Sequence, residues 1–252
     1  MSASERPSQR RASARTAVVW EALEQALGHP GAYDGQSARI LDVGGGTGGF
    51  AVRLAELGHR VTVVDPSPDA LAALSRRARE VGVEVTGLQG DLSDLSSLVE
   101  DSTDGPVDVV LCHGVLEVVE DPAAALATIR EVLRPGGFLS LLVAGRHAAV
   151  VARAMAGHFP QALALLSDAP TQGRTAPTNL ARFTAEEAEE LVAGAGFEVV
   201  SIHGIRVFAD LVPGSLLDLE PGATAALVEL ERAVAERPEY LPLATQLHLL
   251  AR

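Results

Sequence analysis

Apolar positions along the chain follow two alternating rhythms. Short, nearly unbroken apolar runs at ILDV (40–43), VTVVD (61–65), VDVVLC (107–112) and FLSLLVA (138–144) read as strands buried on both faces. Between them lie stretches with helical spacing: VRLAELG after the first run, Pro68 to Val81 after the second, a helix or turn near Leu95 to Val99, and Pro122 to Leu133 before the turn Arg134-Pro135-Gly136-Gly137. EVTGLQGD adds a further strand. Strands alternating with helices predict a parallel sheet covered on both faces.

The pattern changes at both ends. Val18, Val19, Ala22, Leu23 and Ala26 share one helical face, and Gly28-His29-Pro30-Gly31 ends that helix. Residues 1–14 are Ser/Arg-rich without hydrophobic periodicity and are expected to form a flexible tail, leaving 15–252 as one domain. After residue 146 the strand-helix rhythm breaks. Residues 147–182 read as helical through AAVVARAMAGHF and then loop-like through APTQGRTAPTN, the pattern of an insertion or lid over one edge of the sheet. Thr184 opens a capping-type start for the helix AEEAEELVAGAG. FEVVSIHGIRVFADL reads as a strand running into something longer, Thr224 to Ala235 as an acidic helix, and QLHLLAR as a last strand.

At 252 residues and 47% hydrophobic content the chain can fill a sizeable core. No run approaches the ~18 apolar residues of a membrane span, so a cytoplasmic protein without a membrane partner is expected. A single cysteine, Cys112, supports neither an internal disulfide nor structural zinc, and no metal is expected. All 20 basic residues are arginine, which excludes Schiff-base catalysis and a Walker-type phosphate loop, because both need a lysine amine.

The strongest motif is LDVGGGTGGF. Asp42, Gly44, Gly46 and Gly48 are each two residues apart, directly after a strand and before a helix, where glycines let a ligand approach the backbone. Asp65 ends the next strand, placed to take both hydroxyls of a ribose. The D-x-G-x-G-x-G spacing differs from the G-x-G-x-x-G of dinucleotide enzymes and resembles the first motif of class I S-adenosylmethionine (SAM) methyltransferases, with a nucleotide-sugar or NAD-binding Rossmann domain as the competing reading. Gly90-Asp91 and LRPGG extend the resemblance across residues 39–146. It implies an α/β, Rossmann-like fold: a seven-stranded, mostly parallel sheet with helices on both faces, the last strand antiparallel, and SAM across the carboxyl ends of the strands.

The fourth strand ends in LCHGVLEVVEDP, without the Asn/Asp-Pro-Pro-aromatic segment of enzymes that methylate amino groups of DNA bases. Cys112 is expected to point into the sheet. RTAVVWEAL, HGVLEVVEDP, LRPGGFLSLL, GIRVFADL and LELERAVAERPEYLPLATQLHLLAR together resemble the bacterial tRNA 5-carboxymethoxyuridine methyltransferases over nearly the whole chain from Arg15. That resemblance implies SAM as cofactor and tRNA as partner. It implies cofactor-binding roles for Asp42, Gly44, Gly45 and Gly46 along the glycine turn, for Arg15 at the methionine carboxylate, for Asp65 at the ribose and for Gly90 and Asp91 at the adenine. His113 would border the reactive end, with a partly buried structural histidine as the alternative. Arg206 would position the substrate carboxylate, with pairing to Asp210 as its alternative. A carboxylate with pKa near ~4 is ionised at neutral pH, so its methylation needs placement and no general base.

The sequence departs from those relatives in a shorter segment before Arg15 without their aromatics, in Val143-Ala144-Gly145-Arg146 where they carry Tyr-Asn, and in an insertion whose basic residues are Arg153, Arg174 and Arg182. A small-molecule O- or N-methyltransferase and a non-catalytic SAM-binding protein therefore remain as alternatives, and monomer and homodimer are both open. The net charge of −13 disfavours broad nucleic-acid contact. Yet residues 1–16 carry +3 and residues 147–182 carry +2, so the two segments expected to flank the substrate are basic rims on an acidic body.

Overall fold

Local burial on both faces makes the apolar runs the centre of a single sheet. A computed structural model of the chain describes residues 7–28, 37–102, 105–167, 180–219 and 222–252, with side chains for all of these but 7–15, 101, 102, 167, 214, 218 and 219. Strands β1 (Arg39–Val43), β2 (Arg60–Asp65), β3 (Thr86–Gln89), β4 (Val107–His113), β5 (Leu133–Ala144), β6 (Val199–Ile205) and β7 (Gln246–Ala251) lie in the order β3-β2-β1-β4-β5-β7-β6. β1 to β5 are mutually parallel, and β7 runs antiparallel to both of its neighbours. The strand order reverses between β1 and β4, which opens a crevice at the carboxyl ends of the strands.

Alternation along β1 divides the core. Ile40 faces Trp20 and Leu23 of α1 (Pro7–Gly28), Leu54 of α2 (Ala51–Glu56) and Leu74 of α3 (Pro68–Val81). Leu41 faces the other way, toward Leu95 of α4 (Leu95–Ser102), Leu126 and Ile129 of α5 (Pro122–Val132) and Val192 of α8 (Ala185–Gly194). Cys112 is fully buried in this second layer, and burial pushes its thiol pKa up. No helix among the described residues is long and apolar enough to cross a membrane.

Helix α1 begins at Pro7, within the segment expected to be a tail; proline suits a first helical turn, and the arginines and alanines after it are good helix formers without any apolar stripe. The expected turn at Arg134–Gly137 lies inside β5 as a bulge: Val107 pairs with Leu133 and Val109 with Phe138. Arg134 Nε donates to Asp108 Oδ1 at 2.5 Å to pin it, and a Cβ on Gly137 would lie 2.8 Å from the Asp108 carbonyl. LRPGG is thus a fold device at the end of the sheet away from the crevice. The segment after Ile205 leaves the sheet, with a short helix α9 (Gly214–Leu219) before α10 (Ala223–Val234). The insertion begins with α6 (Arg146–Met155) and α7 (Phe159–Ser167), while residues 168–179, including Arg174, lie outside the described residues.

Candidate active site

The glycine turn is shaped by carboxylates beneath it. Gly44, Gly46 and Gly48 all have positive φ, a conformation that side-chain-bearing residues resist. The Gly44 N–H donates to Val64 O at 2.8 Å, which ties the turn to β2. Asp65 Oδ2 accepts from Gly46 N and its Oδ1 from Ser67 N, both at 2.9 Å. Gly45 lies against Asp42, where a Cβ would come within 2.4 Å of Oδ2. Asp42 is nearly fully buried; that burial, with the Asp65 charge added, pushes its carboxyl up to about 7. Two carboxylates thus meet at the ends of β1 and β2 beneath the glycine turn, an arrangement suited to a ligand with hydroxyls and positive charge.

Gly90 follows β3 under α4, and a Cβ there would strike Leu98 at 2.6 Å. Asp91 is exposed, and its Oδ1 accepts from the N–H and the hydroxyl of Ser93, which holds its carboxyl below the usual range. On the other side of the turn, Phe50 stacks on Trp20 at 4.7 Å and meets the edge of His113 at the same distance. This lays α1 against the crevice. The Arg15 side chain lies outside the described residues.

His113 ends β4, and its Nε2 is 2.8 Å from Ser140 Oγ. Burial pushes the ring pKa down to about 3, so it is neutral at physiological pH. It is therefore not a cationic acid but one end of a buried polar row with Ser140, His248 and His203.

Beside the crevice, at the carboxyl ends of β5 and β6, a cavity of about 430 Å³ is lined by Ala144, Ala149, Arg153, Arg182, Arg206 and Gln246, among others. Arg206 is the sole non-glycine residue with positive φ among those described. Its strained turn is held from behind. Glu231 of α10, 1% exposed, accepts from the N–H groups of Val207, Phe208 and Ala209 at 2.9, 2.9 and 2.7 Å. The Arg206 guanidinium pairs with Asp210 and donates to Gln246 Oε1 at 3.2 Å, the alternative weighed for it from sequence.

Arg182 enters the same cavity from a scaffold of its own. Phe183 N donates to Ala144 O and Arg146 N to Phe183 O, both at 2.9 Å. Arg146 reaches Arg182 O at 3.0 Å and Glu187 Oε1 at 2.7 Å, and Glu187 also closes the predicted capping box with Thr184. Glu117, buried beneath, accepts from Ala144 N at 2.7 Å, and burial raises its carboxyl pKa. Glu117, Glu231, Ser140 and His248 had no sequence motif to mark them; a carboxylate at an apolar-looking position was the one available signal for Glu231. Among the described residues no cluster of three or more His, Cys, Asp or Glu is placed to hold a metal.

Residues 41–141 match a family described as a methyltransferase domain. The tRNA 5-carboxymethoxyuridine methyltransferase of Escherichia coli (strain K12) is 32% identical over 241 residues, covering 94% of this chain and 87% of its own. The ubiquinone biosynthesis O-methyltransferase of Xanthomonas euvesicatoria pv. vesicatoria (strain 85-10) is 35% identical over 120 residues, 48% of each chain. Among solved structures, magnesium protoporphyrin IX methyltransferase from Synechocystis PCC 6803 with bound SAH superposes with a TM-score of 0.61 over 100% of this chain and 89% of that one, at 15% identity, a likeness of fold.

Proposed function

This chain belongs to the family of the tRNA 5-carboxymethoxyuridine methyltransferases and is a SAM-dependent methyltransferase, and from that premise we propose that it converts the carboxylate of 5-carboxymethoxyuridine at the tRNA wobble position to the methyl ester. The observation that carries the proposal is the cavity at the carboxyl ends of β5 and β6, lined by Arg153, Arg182 and Arg206 on an otherwise acidic protein. An anionic acceptor is what such a cavity accommodates.

The turn fits the cofactor. Gly44 and Gly45 stand where a Cβ would meet Val115 and Asp42, so the turn has room for glycine alone at these positions. Asp65 would hold the ribose hydroxyls, and Gly90 and Asp91 the adenine side. Arg15 would meet the methionine carboxylate. The like-charged pair Asp42 and Asp65 is relieved by a cation. Bound SAM supplies an electrophilic methyl group on a sulfonium. The acceptor carboxylate is already ionised at neutral pH, so the chain has no proton to move, in keeping with a His113 held neutral. The work of the side chains is to hold one carboxylate oxygen in line with the methyl group and to keep water out.

Nucleoside mass spectrometry of tRNA from a deletion strain tests this. Loss of the wobble methyl ester, with the free acid accumulating, is expected; an unchanged ester level refutes the tRNA substrate. The net charge of −13 favours a second reading, methylation of a small carboxylic or hydroxylic acceptor. Purified protein that methylates 5-carboxymethoxyuridine-bearing tRNA argues against it.

A further inference from the structure

We infer that Arg182, supported by Arg153, is the residue that grips the substrate carboxylate, and that Arg206 is a wall of the same cavity. The inference rests on the methyl-ester reading above and assigns its anion contact to particular side chains. Three arginines line the cavity, with Asp210 beside them. Arg206 has its charge answered by Asp210 and a second donor taken by Gln246. Among the described residues the guanidiniums of Arg153 and Arg182 form neither an ion pair nor a hydrogen bond. Burial and then the neighbouring Arg153 charge hold the Arg182 pKa down, and Glu117 offsets this only in part.

Two guanidiniums near each other without a full counter-ion are a cost that an anion removes. A planar carboxylate matches the two-pronged edge of an arginine, so the same contact also orients the attacking oxygen. Glu117 fills that role only in part, because it also accepts from Ala144 N and its burial disfavours the charged form. The backbone of Arg182 is held before any ligand arrives, by Arg146 at its carbonyl and by the Phe183 bonds to β5 and α6. Such preorganisation lowers the ordering cost of binding.

The test compares two anticodon stem-loop RNAs that differ only in carrying 5-carboxymethoxyuridine or the uncharged 5-methoxyuridine. The wild-type protein is expected to bind the charged loop more tightly by on the order of tenfold or more, the worth of one charge-assisted contact. Arg182→Gln should erase that difference and lower kcat/KM for ester formation by about 100-fold, with SAM affinity and melting temperature unchanged. Arg153→Gln should narrow the difference, and Arg206→Gln should preserve it. Arg182→Gln protein that still discriminates the two loops overturns the assignment while the methyl-ester function stands. Wild-type protein that neither discriminates nor forms ester overturns the function, and this inference with it.

Discussion

Ser140 Oγ lies 2.8 Å from Nε2 of His113, and the same oxygen lies 2.8 Å from Nε2 of His248. A hydroxyl carries one hydrogen, so one ring accepts from Ser140 while the other donates to it. The two imidazoles are therefore locked in complementary tautomers across three strands, and His203 stacks on His248 at 5.5 Å to extend the row. Ser140→Ala strands two buried ring nitrogens. A stability loss of about 2–3 kcal/mol is expected by urea denaturation; a change within ~0.5 kcal/mol, ordinary for a surface site, would show that the row contributes nothing.

The carboxylates under the glycine turn predict cofactor affinity. Asp65→Ala removes the acceptor of Gly46 N and Ser67 N and a charge-assisted partner for hydroxyls. SAM affinity measured by calorimetry should fall on the order of 100-fold. Gly45→Ala drives a methyl group into Asp42 Oδ2 and should weaken SAM without altering RNA binding. Undiminished affinity in both variants would remove the glycine turn as the cofactor seat.

Asp42 titrates near physiological pH because it is buried beside Asp65. A cationic ligand lowers its pKa, so SAM binding at pH 7 should release a fraction of a proton, read as a buffer-dependent enthalpy. Asp42→Asn should bind SAM without that dependence. A wild-type enthalpy that is equal in phosphate and Tris buffers contradicts the expectation.

Stability should fall on acidification from pH 7.5 to 5. The pKa values of His59, His113, His203 and His248 are all lowered by burial. Each therefore contributes stability that is present above the unfolded value of 6.5 and lost as pH falls toward the folded value. Asp42 and Glu117 work in the opposite sense: their raised values contribute stability at low pH that is lost as pH rises through the folded pKa. Four groups against two set the net sign. A thermal midpoint that rises between pH 7.5 and 5 would contradict this balance.

Glu231 holds the turn that bears Arg206 by accepting three backbone N–H bonds. Glu231→Ala should cost about 3 kcal/mol or more, since it leaves several buried donors unsatisfied. Glu231→Gln, which keeps one acceptor oxygen, should recover part of that loss. Equal stability of the alanine variant and the wild type would show that the strained turn stands without this support.

The sheet, the glycine turn and Asp65 were legible in the sequence because burial of alternating residues and turn chemistry act over a few neighbouring positions. Val107 to His113 had to be a covered strand, and D-x-G-x-G-x-G had to be a glycine turn between strand and helix, whatever the rest of the chain did. Partners far apart in sequence were not legible. β7 inserts between β5 and β6, and that order alone brings His248 to Ser140 and His203, 108 and 45 residues away in the chain. Proline and arginine content could not show that α1 reaches back to Pro7. The sequence pointed to Arg206 at the substrate carboxylate, with pairing to Asp210 as the alternative, and to Arg182 only as a basic residue of the insertion. Only the folded chain formed the Arg206–Asp210 pair and brought Arg182 to the same cavity, because the free energy of a charge depends on which other charges share its low-dielectric surroundings.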